Sequence, residues 1–363
     1  MPRSAHSSEH HPSILRHQLL NCARIGARGI GRIAMGDYIE ALSDAPTTCF
    51  TCTRVNPSTF LVVEDDKYLE QPFIYVKVTL HALVVIDTGC GGAARDQHVK
   101  LTCLKDFLET FPVPDNNNEP LNEGGCKPYV VICTHCHYDH ILGVEPFTAV
   151  PETRICASSY DRAFLSVENL PEHSLCNALN IQTPKYTITD WADDAALVKY
   201  HQTNLGVRTY HTPGHTPDEL AIFDEEERVL YVGDTIYEWA PIIFPKEGNI
   251  ITFSSSLAKL RNLVDDLNSD PSKQHVAIAC GHCTKDADAE ELLRDVDLFL
   301  WNVVSGQVEV KERMERRGEE NWLYEQDGAR LSFRGPARLF ETFRRDNKAM
   351  KHLRDRIRHG SSH

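Results

Sequence analysis

Residues 134–140 read Thr-His-Cys-His-Tyr-Asp-His and follow directly on the apolar run YVVIC. His135, His137, Asp139 and His140 place four ligand-type side chains within six positions, at the exit of a predicted buried strand. Such groups are costly to bury unless something pairs with them. Histidine nitrogen and carboxylate oxygen are the usual donors to zinc and similar divalent ions. A loop of this kind can turn the i, i+2 histidine pair toward one ion and the adjacent Asp-His pair toward a second.

Three other segments end alike. His215 stands in TYHTPGHTPDEL after one predicted strand, Asp234 ends VLYVGD, and His282 ends VAIACGH. Strand exits are where a rigid scaffold can hold loops around one site, and repeated placement there makes independent accidents a poor account of the set. The sequence Cys280-Gly281-His282-Cys283 also imitates a redox dithiol, or half of a four-thiolate zinc site with Cys49 and Cys52. The redox reading leaves the histidine-rich loops unexplained and the thiolate site has no local spacing support, so a metal-ligand role for His282 stands beside them.

The chain of 363 residues accommodates one large domain or two moderate ones. No run approaches the length of apolar sequence that crosses a bilayer, and the first residues lack a secretory apolar region. Acidic residues outnumber Lys plus Arg by 52 to 38, a formal charge of −14, which argues against binding a nucleic acid backbone or an anionic membrane. Three parts are expected: an N-terminal extension over 1–48, a main domain carrying the candidate ligands over 49–304, and a charged C-terminal appendage over 305–363. The extension is Arg-rich and, over ILRHQLLNCARIGARGIGRIAMG, free of acidic residues, as mitochondrial presequences are. Glu9 and several glycines favour an extension of a cytoplasmic protein, with the mitochondrial matrix as the alternative. In the appendage, QVEVKER and NWLYEQDGARLSFRG are predicted as short strands, the latter turning at Asp327-Gly328, and a single helix is predicted from Pro336 to Arg358.

The order and wording of HALVVIDTGCG, THCHYDHILG, TPGHTPDEL, YVGDT and ACGH resemble the metallo-β-lactamase-fold hydrolases, which include glyoxalase II, lactonases and acyl thioesterases. The resemblance covers about residues 49–304 and implies an α+β fold, a four-layer αββα sandwich with its metals at one edge between two sheets. It implies that His135, His137 and His215 hold one ion, that Asp139, His140 and His282 hold a second, and that Asp234 bridges them. Asp87, in IDTG, is implied as a neighbour that steadies the ligand loops. Zinc is the expected metal, with iron and manganese compatible with the same donors.

Two such ions can share a water, lower its pKa and clamp an electrophile's oxygen. The expected activity is therefore hydrolysis of a small-molecule thioester, ester or lactone by metal-bound hydroxide, with Asp139 and Asp234 as the catalytic carboxylates. The same ions could clamp a phosphodiester, and a metal-stabilised binding protein without turnover is the non-enzymatic alternative. Tyr237, Trp239, Ile242 and Phe244 follow Asp234 closely and are candidates for an apolar substrate wall, or else ordinary core contacts. Lys246 offers a charge to an anionic substrate group, although a solvated lysine explains it as well.

Overall fold

The computed structural model describes residues 46–360, so residues 1–45 of the expected extension, with its presequence-like segment, lie outside the described residues. Seven strands form the first sheet in sequence order: β1 (Phe50–Arg54), β2 (Thr59–Glu64), β3 (Phe73–Val78), β4 (Leu83–Ile86), β5 (Tyr129–Ile132), β6 (Arg154–Ser158) and β7 (Asp190–Ala192). Pairing is antiparallel from β1 to β4 and parallel from β4 to β7. A second sheet holds β8 (Ala196–Tyr200), β9 (Thr203–His211), β10 (Leu220–Asp224), β11 (Val229–Tyr231), β13 (Ala277–Ala279) and β14 (Ala287–Asp288). The strand β12 (Pro241–Ile243) leaves it to join a third sheet with β15 (Glu312–Arg316), β16 (Glu319–Glu325) and β17 (Ser332–Pro336).

The two-residue alternation of β-strands sorts side chains into three apolar layers. Phe60, Val62, Ile74, Val76, Leu83, Val85 and Val131 point to the outer face of the first sheet, where helix α1 (Leu104–Thr110) covers them. Their neighbours Leu61, Tyr75, Val84, Ile86, Val130 and Ile132 point the other way and meet Val207, Leu220, Ile222 and Tyr231 of the second sheet. Ala221, Phe223, Leu230 and Ile278 face outward again under α3 (Ile250–Asn268) and α4 (Ala289–Val304), a short helix α2 (Tyr138–Ile141) lying at the metal motif. The result is the expected αββα sandwich.

Both long helices start on side-chain caps. Asn249 Oδ1 accepts from the amides of Ile251 and Thr252, and Asp288 Oδ1 from that of Glu291. The C-terminal helical segment is broken into α5 (Ala337–Arg345) and α6 (Asn347–Gly360). Asp346 causes the break, because its Oδ1 accepts from the amides of Lys348 and Ala349, each at 2.9 Å, and so starts a new helix. Phe333 and Phe340 of these late elements pack in the same core as Phe244 and Phe253. Among the described residues no helix is long and apolar enough to cross a membrane.

Candidate metal centre

Every member of the predicted donor set lies just beyond a strand. His135 and His137 follow β5, Asp139 and His140 ride on α2, His215 follows β9, Asp234 follows β11 and His282 follows β13. Because β4 and β5 run parallel, as do β11 and β13, these exits fall at one edge of the sandwich. The side chains gather in two buried groups, His135 with His137 and His215, and Asp139 with His140, Asp234 and His282. Within each group the donor atoms lie within 4.8 Å of one another.

Hydrogen bonding decides which nitrogen of each ring faces inward. Thr134 Oγ1 gives its proton to Asp87 Oδ2 at 2.8 Å, so at 3.1 Å it must accept from His135 Nδ1. His215 Nδ1 donates to the carbonyl of Ile243 at 2.7 Å. That leaves lone pairs on His135 Nε2 and His215 Nε2, and each sits 3.0 Å from His137 Nδ1. A tetrahedral ion with metal–nitrogen bonds near 2.0–2.1 Å would set such nitrogens about 3.3 Å apart. Burial holds the three imidazoles neutral, with His135 pushed well below its ordinary value and His137 down to about 3.

The second group follows the same logic. His140 Nδ1 donates to Asp87 Oδ2 at 2.8 Å, and His282 Nδ1 to the carbonyl of Glu70 at 2.9 Å. Their Nε2 atoms therefore turn lone pairs toward carboxylates, His282 Nε2 lying 3.2 Å from Asp139 Oδ2 and 3.5 Å from Asp234 Oδ1. Asp234 looks both ways, with Oδ1 3.5 Å from His140 Nε2 and Oδ2 3.9 Å from His215 Nε2. His140 Nε2 and Asp234 Oδ1 are buried without a hydrogen-bond partner. Electron pairs converging without intervening protons repel one another unless a cation lies among them, so the donor set fits divalent ions. Without an ion, protons take that role. Burial opposes charge on His282, yet Asp234 and Asp139 outweigh it and push the imidazole up to about 9.

Close packing explains two glycines. A Cβ on Gly281 would come within 2.6 Å of Asp234 Oδ1 and 2.7 Å of His140 Cε1, and one on Gly233, at φ 50°, would strike Glu219 Oε1. Cys280 is buried, and its amide donates to the carbonyl of Thr284 at 2.8 Å, so the CGHC segment forms a tight turn presenting His282.

Glu219 was not singled out from the sequence. It is fully buried, its Oε1 accepts from the amide of Asp234 at 3.0 Å, and its Oε2 lies 3.6 Å from His135 Nδ1. Its signal was a charge directly before the wholly buried strand LAIFD. Glu70 was also missed, having no motif around it; its carboxylate accepts from the Tyr138 hydroxyl. The expected substrate wall needs correction. Ile242 and Phe244 are 0% and 1% exposed, packed in the core because β12 pairs with β17 and Phe244 meets Phe253, Phe333 and Phe340. Tyr237 does stand beside the cluster, its ring centroid 6.1 Å from that of His282, and Trp239 is 42% exposed.

Residues 73–282 match the family model described as the metallo-beta-lactamase superfamily. The chain is 31% identical over 312 residues to "Putative transcription factor avaE" of Aspergillus versicolor, covering 85% of this chain and 88% of that protein. It is 25% identical over 189 residues to an acyl-coenzyme A thioesterase of Bos taurus, covering 50% of this chain and 64% of the thioesterase. A solved metallo-beta-lactamase family protein of Thermus thermophilus shares the fold at a TM-score of 0.50 and 16% identity, covering 72% of this chain and 85% of that one.

Proposed function

The chain belongs to the metallo-beta-lactamase superfamily, and on that footing we propose that it is a dinuclear, zinc-dependent hydrolase of a small-molecule thioester, ester or lactone. The observation that carries this reading is the convergence of seven buried donors whose inward atoms are lone pairs or carboxylate oxygens. In it His135, His137 and His215 would hold one ion and Asp139, His140 and His282 the other, with Asp234 facing both groups. Ions bound there would supply a water of lowered pKa and polarise the acyl oxygen.

The chain's own groups do the rest. Asp87 and Thr134 lock the tautomers of His140 and His135, and the Glu70 carbonyl does so for His282. Asp139 Oδ2, 3.2 Å from His282 Nε2, would take the proton released by the attacking water and return it to the leaving group. A thiolate needs little of that help, since its thiol pKa is about 8.5. Similarity to an acyl-coenzyme A thioesterase favours the thioester within this set. The transcription-factor name of the Aspergillus versicolor relative draws no support from a chain of formal charge −14.

Protein purified under metal-defined conditions, assayed for bound metal and against matched thioester, lactone and phosphodiester panels, tests the reading. Two equivalents of zinc with carbonyl hydrolysis lost in Asp139→Asn are expected. One iron with oxygen-dependent sulfur oxidation, or turnover of the phosphodiester alone, would overturn it.

A further inference from the structure

The β15–β16 hairpin lies beyond the family match over 73–282, yet its tip meets segments that pack next to the cluster. Arg316 pairs with Glu319 across the hairpin, and the turn between them is Arg317-Gly318, both at positive φ, 54° and 76°. Two walls hold this tip. Arg317 lies 3.7 Å from Glu172 and 3.9 Å from Glu247. Glu172 sits on the short helix Leu170–His173, and the next residue, Ser174, accepts from the amide of Tyr138 at 3.0 Å, beside Asp139. Glu247 belongs to the turn after β12, where Asn249 donates to the carbonyl of Gly214 at 2.8 Å, beside His215. Arg338 fastens the same turn, donating to the carbonyl of Lys246 at 2.6 Å while pairing with Glu319 at 3.1 Å. One hairpin thus touches two segments that are hydrogen-bonded to the residues beside Asp139 and His215.

Arg316 is the cation this arrangement leaves over. Arg334 is matched by Glu312 at 3.1 Å and Arg317 by two glutamates, whereas the Arg316 guanidinium has no hydrogen bond or ion pair closer than 4 Å among the described residues. It lies within electrostatic reach of the Glu70 carboxylate and the Tyr138 hydroxyl. Glu70 in turn holds His282 through its carbonyl and Tyr138 through its carboxylate. Arg316 is an exposed residue of β15, and the protein about it, then the charge of Arg334, push its pKa below the ordinary value. An arginine so placed beside carboxylates, without a carboxylate of its own, is a receptor for an anion arriving with the substrate.

We propose that Arg316 binds an anionic group, phosphate or carboxylate, carried by the leaving half of the substrate. This rests on the hydrolase reading and narrows it to esters or thioesters with a charged leaving half.

One acyl group presented on coenzyme A, on glutathione and on neutral pantetheine separates the outcomes, using full-length, metal-loaded protein. Wild type should favour one anionic thioester over the pantetheine thioester, coenzyme A marking phosphate recognition and glutathione carboxylate recognition. Loss of one charge-assisted contact should lower that preference in kcat/KM about tenfold in Arg316→Gln, with partial recovery in Arg316→Lys. Arg313→Gln, farther along the same strand, should leave the preference within about twofold. An unchanged preference in Arg316→Gln overturns the proposal. If wild type cleaves none of the three, the thioester form of the hydrolase reading fails, and calorimetric binding of free coenzyme A and glutathione decides for Arg316. Binding weakened about tenfold in Arg316→Gln sustains its role as an anion receptor, and equal or absent binding ends it.

Discussion

Asp87 Oδ2 accepts from His140 Nδ1 at 2.8 Å and from Thr134 Oγ1 at the same distance, so one carboxylate oxygen orients members of both halves of the donor set. Asp87 sits at φ 63°, a conformation that asparagine tolerates, so Asp87→Asn keeps the backbone. Its amide cannot accept from every donor that now points at the carboxylate. Metal affinity should fall about 10- to 100-fold, read by competition with a chromogenic chelator. Unchanged affinity would show that the ligand loops hold themselves.

Metal uptake should release protons. With no ion bound, Asp234 and Asp139 overcome the opposing effect of burial and hold His282 up to about 9, so its ring carries a proton at pH 7 that a metal must displace. Affinity therefore weakens as pH falls. Zinc titrations in buffers of different ionisation enthalpy should give apparent enthalpies that scale with the buffer, and buffer-independent heats would contradict this.

Glu219 should matter more for the fold of the site than for its charge. Glu219→Ala strands the amide of Asp234 in a buried place and opens a void, at a cost of about 1–3 kcal/mol, measurable by urea unfolding of the metal-free protein. Glu219→Gln keeps an acceptor there and should recover most of that loss.

Glu64 supplies a pH signature of stability. Burial pushes its carboxyl up to about 8, although the amides of Cys90 and Gly92 bond to it at 2.7 Å each. A folded-state pKa above the unfolded one means that the folded chain holds a proton the unfolded chain has lost. This contribution is complete below about 4.5 and disappears as pH rises through about 8. Urea midpoints of wild type should decline relative to Glu64→Gln between those limits and run parallel above them.

Lys77 and Asp224 tie the two large sheets together at 2.7 Å, with side chains 4% and 0% exposed. Lys77→Met alone leaves Asp224 buried without its counter-ion and should cost about 3–5 kcal/mol, whereas adding Asp224→Asn should restore much of the loss. A double variant as unstable as the single one would show that the lysine acts mainly by packing.

The legible part of the site was its inventory. Each of the seven donors lies just after a recognisable strand, and near-continuous apolar runs such as FIYVKV and LVVI fit strands buried on both faces. Glu219 stayed hidden because one charged residue before a strand has no local spacing to mark it. Ile242 and Phe244 followed a donor closely in sequence, and the wall reading failed because their strand pairs with β17, which lies about ninety positions downstream.

Residue types and their order at strand exits were enough to specify the superfamily, the layered sandwich and a donor set for two ions, because strand periodicity and ligand chemistry are local properties. The tertiary structure alone decided which nitrogen of each imidazole faces inward, that Asp234 addresses both groups, and that the C-terminal hairpin sets Arg317 against Glu172 and Glu247. Those facts depend on how two sheets and a distant hairpin pack, and lone-pair direction and long-range approach are set by packing rather than by any spacing along the chain.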